Sequence, residues 1–267
     1  MTDSPGSGEG DDLTESQRQF SQVAEAYRQS PTHADPVSLA RFIALAELKP
    51  NHRVLDIATG AGHTALAAAP YVLEVVGLDI TPEMLDQAQG LAAEREVRNV
   101  SFVIGDAQQL PFSASSFDRV LVRSAPHHFK QLIPALAEAY RVLRPGGVFA
   151  VSDCSPPPVV RDWLEVVEIG RDPSHIRSRA LEEWRALLQA LGFTVEHAER
   201  IEQEKDILEW FEIAKVGDKE QRHLLDLYES APQAVKGQLL AQWREGRFYH
   251  RYWHALIRAR RPIQPQA

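Results

Sequence analysis

The sequence predicts an α/β fold: a mostly parallel sheet, doubly wound, with helices on both faces. Short apolar runs closed by turn residues alternate with stretches of helical period between Arg53 and Cys154. The runs are nearly continuous in Val, Leu and Ile rather than alternating with polar residues, as strands buried on both faces require. A composition of 44% hydrophobic and 25% charged residues over 267 positions supplies the core such a sheet needs.

In chain order, Met1 to Asp12 is rich in Gly, Ser and Asp, has few apolar side chains to offset the entropy of ordering, and reads as a disordered tail. Phe20, Val23, Ala24 and Tyr27 fall at helical spacing, as do Leu39, Phe42, Ile43 and Ala46, so two helices lead the chain. Five strands follow, at Val54–Ile57, Val75–Leu78, Val100–Ile104, Val120–Val122 and Val148–Val151, with helices including Met84–Ala93 and Leu132–Val142 between them. Thr81-Pro82 predicts a helix start capped by the threonine side chain, with proline at the first position. Arg144-Pro145-Gly146-Gly147 predicts the turn into the fifth strand. After a stiff loop at Ser155–Pro158, Leu181, Trp184, Leu187, Leu188 and Leu191 form a helical stripe closed by Gly192, and a sixth strand starts at Phe193. Asp206–Trp243 reads as a helical insertion before a last strand at Phe248–Arg258. Residues 13–267 are thus predicted to be a single domain, with 13–52 the leading helices, 53–154 the alternating strand-helix core and 155–267 the C-terminal part.

The net charge of −8 argues against nucleic acid as a partner, because phosphates repel an acidic chain at long range. The single cysteine, Cys154, excludes an intramolecular disulfide and any zinc site built on paired thiolates, so no metal site is predicted. Lacking an apolar run of about 20 residues or a leader-like start, the chain is expected to be cytoplasmic, without a membrane span. Its oligomeric state is not legible.

The first strand runs into Asp56-Ile57-Ala58-Thr59-Gly60-Ala61-Gly62, and Asp79 ends the second strand 17 residues beyond Gly62. Small residues in such a turn let a ligand approach the backbone, and an acid at the second strand's end accepts the paired hydroxyls of an adenosine ribose. Two cofactor classes fit this much, a nicotinamide dinucleotide and S-adenosylmethionine. A pyrophosphate beside Asp56 would set like charges together, whereas the ammonium and sulfonium of S-adenosylmethionine suit an acid there. A plain structural role for Asp56, accepting turn amides, is the competing reading.

Further on, Gly105-Asp106-Ala107, Leu110-Pro111-Phe112, Ser116-Phe117-Asp118 and Arg141-Val142-Leu143-Arg144-Pro145-Gly146-Gly147 follow in order. With Asp56–Gly62 and Asp79, this set resembles class I S-adenosylmethionine-dependent methyltransferases, and most the ubiquinone/menaquinone C-methyltransferase-like (methyltransferase type 11) subgroup, over Arg53–Cys154. The resemblance implies a Rossmann-like fold and S-adenosyl-L-methionine as cofactor. It implies that Asp56, Ala58, Thr59, Gly60 and Gly62 line the methionine end, that Asp79 holds the ribose, and that Asp106 faces the adenine amino group. Ile80 and Met84 would pack on the adenine or ribose, Ala107 would offer its amide to the ring, and Arg123-Ser124 would approach the methionine moiety. Ala58 stands where the family more often has glycine. Met84 also belongs to a helical stripe with Ala88 and Leu91, which makes it a core candidate as well.

His127 and His128 follow the fourth strand, where a transferable methyl would point, and His127 is the candidate base or acceptor contact. Packing within the loop is the competing reading for both. Arg171–Arg179 is dense in donors and reads first as a solvated loop with charges paired across it, second as a border of the acceptor pocket. The aromatics Trp210, Phe211, Trp243, Phe248, Tyr249, Tyr252 and Trp253 read as core ahead of a lid, and Arg258-Ala259-Arg260-Arg261 as a soluble chain end. The expected function is in-line methyl transfer to a small organic acceptor. An NAD(P)-dependent oxidoreductase and a non-catalytic cofactor-binding regulatory module are the alternatives.

Overall fold

Each of the five apolar runs forms a strand in the computed structural model, which describes residues 14–263. The Met1–Asp12 tail falls outside the described residues. The elements are α1 (Glu15–Gln29), a single turn α2 (Pro31–Ala34), α3 (Pro36–Leu45), β1 (Arg53–Ile57), α4 (His63–Ala68), β2 (Glu74–Asp79), α5 (Pro82–Glu94), β3 (Val100–Ile104), β4 (Phe117–Arg123), α6 (Leu132–Val142), β5 (Leu143–Cys154), α7 (Pro158–Arg171), α8 (Leu181–Ala190), β6 (Thr194–Asp206), α9 (Ile207–Ile213), α10 (Asp218–Ser230), α11 (Gln233–Leu239), β7 (Gln242–Arg244) and β8 (Arg247–Arg260).

The sheet runs β3-β2-β1-β4-β5-β8-β6, with β7 paired to β8. Strands β1 to β5 pair in parallel, and β8 is antiparallel to both β5 and β6. The chain leaves β1 toward β2 and β3, then crosses back to lay β4 on the other edge of β1. That reversal opens a crevice at the carboxyl ends of β1 and β4, because the connections on either side diverge there.

Local chemistry explains most boundaries. Thr14 and Gln17 form a reciprocal capping box at the start of α1, and Asp35 accepts the Ser38 N–H at 2.7 Å ahead of Pro36 in α3. Thr81 begins α5, but its side chain makes no capping bond; Oδ1 of Asp79 accepts the Thr81 N–H at 2.9 Å instead. The strand-two acid, not the threonine, therefore secures this turn. Strand β5 begins at once after α6, with an irregular register opposite Phe117–Arg119 that absorbs the Pro-Gly-Gly segment, Gly146 taking a φ of 79°.

Two of the hydrophobic cores bear on the site. Leu55, Val120, Phe149, Trp184 and Ile257 belong to the main core under α6 and α8. A second core gathers α7, α9, α10 and α11 over the end of β8, where Trp210, Phe211, Phe248, Tyr252 and Trp253 pack as expected, while Trp243 is exposed. Fully burying such a side chain contributes about 1.5 to 3 kcal/mol. The helix α7 was not expected, since Pro158 reads as loop until its place at the first helical position is seen. The predicted insertion ends at Leu239 rather than Trp243, because Leu240 takes a left-handed φ of 48° and the chain turns into β7. The terminal arginines are no loose end: Arg258 and Arg260 lie on β8 and pair with Glu47 and Glu196.

Gly62 caps α4 with φ 84°, and a Cβ there would lie 2.9 Å from Cβ of Ala88 in α5. Gly62→Ala thus meets both a left-handed backbone and a crowded neighbour. Chemical denaturation should show it less stable than the parent by about 2 kcal/mol or more; an unchanged midpoint would contradict this packing.

Candidate active site

The crevice between β1 and β4 is an open cleft of about 1200 Å³, its mouth included. Its floor and walls include Ala58, Thr59, Gly60, Asp79, Ile80, Met84, Asp106, Ala107, Arg123 and Ser124, ten of the sequence-predicted residues. Helix α1 borders it through Phe20 and Tyr27 and is tied across it by Nε2 of Gln17, which donates to the Ile80 carbonyl at 3.2 Å.

The loop is held by its acids. Oδ2 of Asp79 accepts the Gly60 N–H at 2.8 Å, so the carboxylate braces the glycine turn while retaining lone pairs for a ligand. Gly60 has φ 55° and Ala58 φ 52°; the alanine methyl in this left-handed region stores about 1 to 2 kcal/mol of strain. Ser124, on the opposite side of the crevice, has φ 53°. Strained backbone on both sides brings main-chain groups toward the same space. Met84 is both core and wall, being 2% exposed yet lining the cleft. Asp106 lines it too, and its Oδ1 accepts the Gln108 N–H at 2.8 Å in a local turn.

Three predicted residues stand outside the cleft lining. Gly62 packs against α5. Asp56 is buried beneath the loop, where Oγ1 of Thr59 donates to its Oδ2 at 2.7 Å, and Gly77 leaves room for Thr59, since a Cβ there would sit 2.9 Å from that hydroxyl. Its carboxylate supports the loop and does not line the cleft. Burial pushes its pKa up to about 7, against the Thr59 hydrogen bond and the Arg123 charge.

His127 lies in a smaller recess that continues from the cleft, the two sharing Tyr27, His33, Arg123, Ser124 and His128. Its Nδ1 is 2.5 Å from Oδ1 of Asp153 at the end of β5. With that carboxylate ionised, Nδ1–H donates to it and Nε2 is left without a proton. Burial holds the imidazolium pKa well below its usual value and raises Asp153 to about 7. Asp153 was missed in the sequence; the signal was an acid closing an apolar parallel strand at its carboxyl end.

The Arg171–Arg179 segment is not a solvated loop. Arg171, Asp172, Ser174, His175 and Ser178 are buried, and the Ile176 N–H donates to the His127 carbonyl at 2.8 Å. Oγ of Ser174 bonds both Nδ1 of His128 (3.0 Å) and Oδ1 of Asp172 (2.6 Å). Burial opposes the Arg171 charge, but Glu168 and Asp172 more than offset it. Arg171 lines the recess with Lys205, Trp210, Tyr252 and His254. Lys205 carried no sequence signal, sitting in the charged run Glu202–Asp206.

Against known proteins, the chain matches the family model described as a methyltransferase domain over residues 48–215. It is 44% identical over 173 residues to the uncharacterised methyltransferase YcgJ of Bacillus subtilis, covering 64% of this chain and 68% of that one. It is 40% identical over 146 residues to the demethylmenaquinone methyltransferase of Thermus thermophilus, covering 52% of this chain and 66% of the relative. The crystal structure of the Bacillus YcgJ protein superposes with a TM-score of 0.79 at 32% identity, covering 85% of this chain and 98% of that one.

The raised pKa of Asp56 sets a pH dependence. A carboxyl whose folded pKa, about 7, exceeds its ordinary 3.8 favours folding most below the ordinary value and loses that contribution as pH rises through 7. Asp56→Asn should therefore raise the denaturation midpoint, relative to the parent, more at about pH 8 than at about pH 5. An equal effect at both would show the carboxyl to be unperturbed.

Proposed function

The chain belongs to the methyltransferase-domain family, and on that premise we propose that it transfers a methyl group from S-adenosyl-L-methionine to a small organic molecule held in the recess. The observation that carries the reading is the continuity of two chemically distinct spaces. One is an acid-floored cleft with a glycine turn; the other is a histidine-lined recess, and they meet at Ser124 and His128.

The cleft fits an adenosyl ligand in its donor set. Asp79 has both carboxylate oxygens fixed by backbone N–H groups, so its free lone pairs are aimed without further ordering cost for paired ribose hydroxyls. Asp106 and Ala107 would hold the adenine edge, with Ile80 and Met84 against the ring. Ala58, Thr59, Gly60, Arg123 and Ser124 would surround the methionine end. When bound, the cofactor supplies an electrophilic methyl on a sulfonium, and transfer leaves S-adenosylhomocysteine.

The chain's own residues then have to align the acceptor, exclude water and take one proton. Alignment rests on the junction at Ser124, and exclusion on α1 and the buried 171–179 segment. Nε2 of His127 is the proton acceptor, with Asp153 fixing the tautomer. Its neutral state at physiological pH keeps the lone pair available. Among the described residues no helix is long and apolar enough to cross a membrane.

Two substitutions test the assignments separately. Asp79→Ala should weaken S-adenosylmethionine binding by about 1.5 to 3 kcal/mol in calorimetry, and unchanged affinity would remove Asp79 from the site. His127→Gln should lower kcat for label transfer from methyl-labelled cofactor into a metabolite extract by about 100-fold or more, with cofactor affinity unchanged. An unaltered kcat would leave His127 a packing residue.

A further inference from the structure

The cations around the recess differ in their partners. Arg171 is paired with Glu168 at 3.1 Å and lies 3.7 Å from Asp172. Glu168 also accepts from the Tyr252 hydroxyl at 2.8 Å, and Oδ1 of Asp153 faces Nδ1 of His127, while Oδ2 of Asp153 and Oδ2 of Asp172 have no hydrogen-bond partner among the described residues. Arg123 donates to Oγ1 of Thr64 at 3.0 Å and to the His33 carbonyl at 2.6 Å. Lys205 has no carboxylate within 4.0 Å and no hydrogen-bond acceptor among the described residues; its Nζ rests 3.8 Å from the Trp210 ring centre and 4.3 Å from that of Tyr252.

The acids nearest Lys205 in the chain are engaged elsewhere. Glu204 pairs with Arg244, and Asp206 pairs with Arg247 at 2.7 Å while capping α9. Glu209 accepts from Oγ1 of Thr32 at 3.1 Å. His33, His127, His128 and His254 are all held neutral by burial, so they add donors and acceptors but no charge. Burial pulls Lys205 down to about 8, which leaves the ammonium predominant at neutral pH. Aromatic faces satisfy such a charge only in part. A partly buried ammonium without a carboxylate partner gains from a ligand that supplies one.

We propose that the recess selects methyl acceptors bearing a single carboxylate, docked on the Lys205 ammonium and flanked by the Trp210 and Tyr252 rings. This rests on the methyltransferase reading and adds the acceptor's charge class to it. A carboxylate supplies the single charge that Lys205 lacks, and a dianionic phosphate would add a second beside Glu168, whose charge already reaches the ammonium.

The test is calorimetry on the full chain loaded with S-adenosylhomocysteine, using the matched probes benzoate and benzamide, hexanoate and hexanamide, and phenyl phosphate. At least one carboxylate should bind about tenfold or more tighter than its amide and than phenyl phosphate. Lys205→Met should abolish that preference and Lys205→Arg should retain it, with S-adenosylhomocysteine affinity unchanged in both, which shows the fold intact. Equal binding of acids and amides, no carboxylate binding, or an undiminished preference in Lys205→Met overturns the proposal. Tighter phenyl phosphate overturns the monoanion assignment. Failure of S-adenosylhomocysteine to bind the parent chain would instead overturn the methyltransferase reading, and the acceptor proposal with it.

Discussion

The reversal of strand order between β1 and β4 is the constraint from which the binding chemistry follows. Strands on either side are connected in opposite directions, so no crossover covers their carboxyl ends, and the space must be lined by the turns themselves. Those turns adopt conformations that side chains disfavour. Ala58 and Ser124 both lie in the left-handed region on facing sides of the crevice. Strain of this kind persists only where the surroundings over-determine it, and here β1 and β4 are anchored among fully buried residues such as Leu55, Val120 and Leu121.

Around that crevice the acids divide by burial into distinct tasks. Asp79 reaches the cleft and braces Gly60, whereas Asp56, one strand away, is sealed under Thr59. The same residue type at the ends of adjacent strands thus lines the cleft in one case and is buried under the loop in the other. A further layer comes from the C-terminal half. The end of α7, the end of β6 and helix α9 build the recess wall, so that Arg171, Lys205 and Trp210 line it together with His127 and His128. Burying a pair such as Arg171–Glu168 adds little net stability, since desolvation offsets the Coulombic gain. Its effect is geometric, holding Arg171 against Glu168 at the recess wall.

What the sequence determined by itself was the layered fold, the five parallel strands, and ten of the residues that line the cleft. These are set by local patterns: apolar runs, a glycine turn, and acids that close strands, all read within a few positions of one another. Tertiary structure alone decided that Asp56 and Gly62 turn away from the cleft, that Asp153 stands behind His127, and that the 171–179 segment is buried rather than solvated. It also decided the recess, whose members come from positions as far apart as Tyr27 and His254. A residue's chemistry is written in the chain, but its burial and its partners depend on segments distant in sequence, and in this protein those two properties separate an acid that lines the cleft from one sealed beneath it.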